Sequence, residues 1–263
     1  MKTRLKLLPV VCVMFLAACN FDSQNDPIIV PDVKKEFYVD IWEELLPQER
    51  RFWLLIETIE PENCLNASIY YDLDQLGNSI TVSLDDIIVP SNCEAGQAPA
   101  TADLDLGVLN TRTIDFKINL KNAVFNSGAL QVNYDSYEVL MPAPEGIQFK
   151  HKKLMRVPNT AIWGYVSYTD NSQAAAAQDV VNSIKGISYT VDYPEGYYGY
   201  FSIGADSQIT SVLGQPAGNR YKIFVFDYPG DKANLTNLLN DLRSMHPAPA
   251  FDIKLWNAQG ESL

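Results

Sequence analysis

The sequence predicts two folded parts, a β-sandwich of the immunoglobulin-like, Greek-key type followed by an α+β domain of the ferredoxin-like type. Up to residue 142, short runs of alternating apolar and polar residues are separated by turn residues, without a convincing helical pattern. A segment rich in Pro and Gly follows, and beyond it strand patterns alternate with two helical ones. We therefore place a β-sandwich domain at residues 36–142, a linker at residues 143–158 and an α+β domain at residues 159–263.

The first domain is predicted to contain six or seven short strands. Phe37, Val39 and Ile41 alternate with polar or amphipathic neighbours, which is the period of two expected for a strand with one buried face. Residues 43–50 are predicted as a short helix or turn, and residues 126–128 as a turn. The further predicted strands are residues 52–59, 67–71, 79–84, 104–109, 113–120 and 130–140.

The second domain is predicted to follow a split β-α-β plan with both helices on one face of the sheet. Asp170 begins an Ala-rich helix at residues 173–185, and Asp231 begins a second helix whose leucines fall on one side. Between the helices, strands at residues 187–193 and 197–203 flank a turn at residues 194–196. The remaining predicted strands are residues 161–168, 221–226 and 251–256.

The N-terminus carries a basic start, an apolar run at residues 7–16 and the sequence Leu16-Ala17-Ala18-Cys19. This pattern resembles the signal peptide and lipobox of bacterial lipoprotein precursors. The resemblance implies that residues 1–18 are removed, that Cys19 is acylated, and that a flexible tether at residues 19–35 links the lipid to the folded part. An ordinary secretory signal is the alternative, whereas a membrane span needs about twenty apolar residues.

The resemblance also implies a location. Asn20 follows the cysteine where this family commonly has an aspartate that retains the protein at the inner membrane. We therefore expect a protein anchored in the outer membrane through the lipid on Cys19, on either its periplasmic or its surface face.

The charge of the chain excludes one class of partner. The sequence contains 20 Lys and Arg against 32 Asp and Glu, a net charge of −12. Binding to a nucleic-acid backbone depends on clustered basic residues. We therefore predict no nucleic-acid partner.

Cys64 and Cys93 are predicted to form a disulfide. They are the two cysteines left when Cys12 is removed with the signal and Cys19 is acylated, and exported thiols usually pair. A zinc site is the alternative, but the only histidines, His151 and His246, are distant in sequence. The sequence predicts no metal site.

Four tyrosines around residues 194–196 are candidate ligand-binding residues: Tyr193, Tyr197, Tyr198 and Tyr200. Exposed tyrosine rings stack on sugars or peptides while their hydroxyls form hydrogen bonds. The same residues also fill the faces of a sheet, so packing is the alternative interpretation.

A basic cluster follows the predicted linker prolines: Lys150, His151, Lys152, Lys153 and Arg156. Either these charges balance nearby carboxylates, or they form a docking surface for an acidic partner.

No catalytic residue and no cofactor are predicted, because the sequence lacks a nucleophile with a nearby base and a phosphate-binding glycine loop. The expected function is a non-enzymatic binding or adaptor module whose partner is an envelope protein or glycan. The alternatives are an envelope glycan or peptide hydrolase that uses carboxylates, and a carbohydrate-binding module built on the tyrosines.

Overall fold

The computed structural model describes residues 33–218 and 220–263. The predicted signal peptide, the lipidation site Cys19 and the tether up to residue 32 therefore lie outside the described residues. Residues 33–263 form one compact unit. The predicted linker at residues 143–158 contributes two short strands to the large sheet described next, and the domain boundaries themselves stay predictions.

Ten strands form one large mixed sheet in the order β10-β8-β7-β6-β4-β3-β5-β2-β1-β9. The strands are β1 (Phe37–Leu45), β2 (Arg50–Thr58), β3 (Ser68–Leu76), β4 (Ser79–Ile88), β5 (Thr101–Asp105), β6 (Arg112–Leu120), β7 (Val124–Val132), β8 (Ser136–Leu140), β9 (Ile147–Phe149) and β10 (Lys153–Met155).

The large sheet is curled around a single apolar core. Alternate side chains of each long strand point inward, as Phe37, Val39 and Ile41 do in β1. The curl brings together strands from opposite ends of the strand order. The Tyr137 hydroxyl of β8 donates a hydrogen bond to Glu43 of β1. Burial of these inward side chains is thus the main source of stability for this part of the chain.

The prediction of an immunoglobulin-like sandwich was wrong. Such a sandwich consists of two separate antiparallel sheets, whereas β5 pairs with both β2 and β3, and β4 pairs in parallel with β6. These pairings join all ten strands into one sheet. The alternation of apolar residues reports which face of a strand is buried but not which strands are neighbours, so it fits both architectures.

Two local predictions in this region were also wrong. β1 continues through Leu45, so the predicted helix or turn at residues 43–50 is reduced to the residues between two paired strands. The predicted turn at residues 126–128 lies inside β7. Gly128 is needed there because a Cβ atom would lie 2.4 Å from the carbonyl oxygen of Leu140 on β8, a close approach of two backbones rather than a turn.

The C-terminal part contains two further three-stranded sheets and two helices. The first sheet has the order β15-β11-β16 and the second the order β12-β13-β14. The elements are β11 (Ala161–Tyr168), α1 (Ala174–Gly186), β12 (Gly196–Tyr197), β13 (Phe201–Ile203), β14 (Ile209–Val212), β15 (Tyr221–Asp227), α2 (Lys232–Met245) and β16 (Phe251–Asn257).

The two predicted helices are confirmed. Asp170 accepts a hydrogen bond from the Ser172 amide at the start of a short 3₁₀ turn that leads into α1, and Asp231 accepts one from the Ala233 amide at the start of α2. Both helices pack on one face of the β15-β11-β16 sheet through their apolar sides. The other face of that sheet packs against β12–β14 and against the ends of β1 and β10.

The prediction of a ferredoxin-like domain was wrong. That plan needs a strand directly after the first helix, but residues 187–193 form only a single bridge, between Tyr189 and Asp227. Ile187, Tyr189 and Val191 are exposed, so their alternating side chains have no core to cover. The predicted strand at residues 197–203 instead contributes to the separate sheet, with its turn at Gly199, where φ is +82°.

The predicted disulfide between Cys64 and Cys93 is present. Cys64 lies in the segment between β2 and β3, and Cys93 lies in the segment between β4 and β5. Cys64 is also buried as part of the core of the large sheet. The bridge therefore ties two irregular segments at one end of adjacent strands.

Replacing both Cys64 and Cys93 by alanine should lower the free energy of unfolding. The bridge links residues 29 positions apart, and closing a loop of about thirty residues stabilises a protein by about 3 to 4 kcal/mol in the chain-entropy model. Urea unfolding followed by circular dichroism measures the change. The unaltered protein with a reductant is the matched control and should shift equally; an unchanged midpoint in both would contradict the prediction.

Candidate functional site

The four candidate tyrosines lie in and beside the small β12–β14 sheet. Tyr193 and Tyr198 are buried, and Tyr197 and Tyr200 are partly buried. They fill the space between this sheet, β11 and the end of β1. The structure therefore assigns their rings to packing, and a role in binding a ligand stays a prediction.

Three of the four tyrosine hydroxyls bond backbone groups of the protein. The Tyr200 hydroxyl donates to the carbonyl oxygen of Glu43 at 3.1 Å and accepts from the amide of Leu45 at 3.2 Å. The Tyr198 hydroxyl donates to the carbonyl oxygen of Pro194 at 2.9 Å. The Tyr193 hydroxyl makes a longer contact, of 3.5 Å, with the carbonyl oxygen of Phe226. These bonds occupy the polar ends of the rings.

Burial makes these tyrosines hard to ionise. It raises the pKa of Tyr198 to about 12, with a smaller contribution from the charge of Asp135. Burial is also the largest cause of the raised pKa values of Tyr193, Tyr197 and Tyr200. All four phenols are therefore neutral at neutral pH.

Three of the five residues of the basic cluster contact acidic residues of β1 and β2. Lys150 lies 2.8 Å from Glu57, and His151 Nδ1 lies 3.0 Å from Asp40 Oδ1. The His151 ring also stacks on Tyr197, with 3.6 Å between ring centroids. These pairs agree with the interpretation that the cluster balances nearby carboxylates.

The most deeply buried charged side chain of the described residues is Glu43, which is 1% exposed. It occupies a core-facing position of β1, between Ile41 and Leu45. Its Oε1 accepts hydrogen bonds from the Tyr137 hydroxyl at 2.8 Å and from Arg156 Nε at 3.0 Å, and its Oε2 accepts one from Arg50 Nη1 at 3.3 Å. A buried carboxylate needs such a set of donors because desolvation is costly.

Tyr137 belongs to this group as a neutral donor. Its ring is buried, and burial followed by the negative charge of Glu43 raises its pKa. The Arg156 guanidinium lies 5.1 Å from the centre of the same ring. We call Glu43, Arg50, Tyr137 and Arg156 the Glu43 cluster.

The two arginines of the Glu43 cluster are positioned by different parts of the chain. Arg50 begins β2 and also donates to the carbonyl oxygen of Val157 and, at 2.7 Å, to Oδ1 of Asn159. Arg156 directly follows β10 and donates to Glu43 only through Nε. Within residues 33–218 and 220–263, the two Nη groups of Arg156 have no hydrogen-bond acceptor.

A cleft of about 490 Å³ lies beside the Glu43 cluster. Arg50 and Arg156 line it, together with Tyr134, Asp135 and Asn159. Tyr134 lies at the edge of the cleft and is 92% exposed. The cleft thus combines guanidinium donors with an aromatic ring, which suits the binding of a small anionic group.

The sequence interpretation missed Glu43 as a core position. The signal was present, because the alternation of Phe37, Val39 and Ile41 continues to residues 43 and 45. In the sequence, Arg156 stands out only as one member of the basic cluster. Its partner lies 113 residues earlier in the chain, and no local pattern carries that information.

Other kinds of site receive no support from the described part of the chain. There, no group of three or more His, Cys, Asp or Glu side chains is arranged to hold a metal ion. Neither described helix has the length and apolar character required to cross a membrane.

Comparisons with protein-family models, with curated proteins and with solved structures found no match to this chain.

Raising the pH above 10 should destabilise the fold through its buried tyrosines. An unfolded tyrosine ionises near pH 10, whereas Tyr198 in the fold ionises only near 12. The stabilisation is therefore complete below pH 10 and is lost as the pH rises toward the folded value, by at most about 1.4 kcal/mol per pH unit for each such residue.

Urea midpoints measured between neutral pH and about pH 11 test this expectation. Tyr198→Phe is the matched control, because it removes one ionising group and should make the alkaline decline shallower. Equal slopes for the two proteins would contradict the expectation.

Proposed function

We propose that this chain is a lipoprotein anchored in the outer membrane that acts as a non-enzymatic binding or adaptor module of the cell envelope. The anchor rests on the sequence Leu16-Ala17-Ala18-Cys19 behind a basic and apolar start. Acyl chains on Cys19 would hold the protein at the membrane, because each buried methylene contributes about 0.8 kcal/mol. The adaptor role rests on the position of the cleft relative to the start of the folded part.

The observation that carries the proposal is the direction of β1. The chain enters the folded part at Val33, and the Phe37 end of β1 is the first paired segment. Leu45, at the other end of β1, pairs with Arg50 of the cleft. Nine residues of strand span about 30 Å, so the cleft lies one strand length away from the point where the tether joins.

This arrangement suits a tethered binding protein. A tether at one end and a cleft at the other would let the lipid stay in the membrane while the cleft faces the envelope space. The disulfide between Cys64 and Cys93 agrees with export to an oxidising compartment.

Replacing Cys19 by alanine should release the protein from the membrane, because the residue that would carry the acyl chains is lost. We expect the unaltered protein to fractionate with the outer membrane and to incorporate radiolabelled palmitate, and the Cys19→Ala variant to do neither. Cys12→Ala is the matched control, since Cys12 lies in the apolar run that would be removed, and it should leave both readouts unchanged. Membrane association and palmitate labelling of Cys19→Ala would contradict the proposal.

A further inference from the structure

The buried charges of the Glu43 cluster do not balance. Glu43 contributes one negative charge, whereas Arg50 and Arg156 contribute two positive charges, with side chains only 16% and 23% exposed. Within the described residues neither arginine pairs with another carboxylate. The Glu43 cluster by itself therefore carries a net charge of +1, in a chain whose total charge is −12, and the remaining charged residue that lines the cleft is the exposed Asp135.

Hydrogen-bond donors are also left over at this place. Both Nη groups of Arg156 lack an acceptor within the described chain, while Nε is held by Glu43 at 3.0 Å. The bond to Glu43 and the position of the guanidinium 5.1 Å from the centre of the Tyr137 ring together orient its outer edge before anything binds. Such an edge presents two parallel donors, the geometry that matches the two oxygens of a carboxylate.

From the unbalanced charge and the oriented donors, we propose that the cleft binds the terminal carboxylate of a peptide. The carboxylate bonds the Nη groups of Arg156 and gives the second arginine of the cluster a negative partner of its own. This inference deepens the proposed binding function and rests on it.

The volume and the walls of the cleft indicate what surrounds the carboxylate. A space of about 490 Å³ is much larger than one carboxylate and lies within the range of pockets for small ligands, about 300 to 1,000 Å³. The ring of Tyr134 and the ring of Pro158 line its side. These surfaces accept an apolar or aromatic side chain next to the terminal carboxylate.

The charge around the cleft favours a ligand with a single negative charge. Asp135 also lines the cleft and is exposed. An acidic polysaccharide carries a carboxylate on successive sugars, and these would meet Asp135 and the acidic surface of the protein. Repulsion between like charges therefore selects a peptide end over a polyuronate.

Retention of the full-length protein, purified in detergent, on three matrices tests the proposal. The first matrix carries a mixed library of tetrapeptides attached through their N-termini with free terminal carboxylates. The second carries the same library with terminal amides, and the third carries polygalacturonate. We expect retention on the first matrix only, with an apparent affinity about tenfold or more above that for the amides, because a charge-assisted bidentate bond is lost in the amide.

Three variants locate the binding. Arg156→Lys keeps the charge but loses the two parallel donors, and should weaken retention about tenfold. Tyr134→Ala removes a ring that is 92% exposed, and should weaken retention several-fold. Tyr70→Ala, an exposed tyrosine of β3 outside the cleft, is the matched control and should bind as the unaltered protein does. If Arg156→Lys does not fold, the test is the comparison of retention between Tyr134→Ala and Tyr70→Ala.

Equal retention on the carboxylate and amide libraries, or on neither, would overturn the proposal. Retention on polygalacturonate alone would overturn it in favour of an acidic sugar. Retention that Tyr134→Ala leaves unchanged would place binding elsewhere on the molecule. Membrane anchoring is measured separately with Cys19→Ala. A negative retention result would therefore overturn the ligand proposal without bearing on the anchor.

Discussion

One buried carboxylate connects parts of the chain that are far apart in sequence. Glu43 accepts hydrogen bonds from Tyr137, 94 residues later, and from Arg156, 113 residues later, as well as from Arg50 on the neighbouring strand. β1 and β8 each lie one strand from opposite ends of the ten-strand order. The bonds to Glu43 therefore hold the curled sheet in the shape that brings its two ends together. An isolated buried charge costs several kcal/mol, so each member of the cluster depends on the others.

The same end of β1 also positions the C-terminal part. Tyr200 bonds the backbone of Glu43 and of Leu45, and its ring packs between Trp42 of β1 and Trp163 of β11. The small β12–β14 sheet thus rests on the last residues of β1. A few residues at the Leu45 end of β1 therefore support the cleft, the orientation of the Arg156 guanidinium and the contact between the two sheets.

Much of the local structure could be predicted from the sequence, but the pairing of strands could not. The spacing of Leu235, Leu239 and Leu242 predicted α2 correctly, because one helix face must be buried whatever covers it. The bridge of Cys64 and Cys93 was predicted from a count of thiols in a chain that is expected to be exported. In contrast, the alternation of apolar and polar residues in β4 does not indicate that its neighbours are β3 and β6. Residues 187–193 had the composition of a strand, yet no neighbouring face required their apolar side chains.

The candidate site was harder to predict than the fold. Its members come from β1, β2, β8 and the segment after β10, and each is unremarkable in its own stretch of sequence. Glu43 alone carried a local signal, as a charged residue at an inward position of an alternating strand. The buried carboxylate of Glu43 needs hydrogen-bond donors, and in the fold these come from distant parts of the chain. The need arises only in the folded state, because water solvates the carboxylate in the unfolded chain.

A double-mutant cycle on Glu43 and Arg156 tests the central role of the cluster most directly. The free energies of unfolding of Glu43→Gln, Arg156→Gln and the double variant are compared with that of the unaltered protein by urea denaturation. The cluster described here predicts that the double variant is more stable than the sum of the single losses implies, by a coupling of about 1 to 3 kcal/mol, because each single change takes from the other residue its charged partner. Losses that add to within about 0.5 kcal/mol would contradict this account, since they would mean that Glu43 and Arg156 stabilise the fold independently.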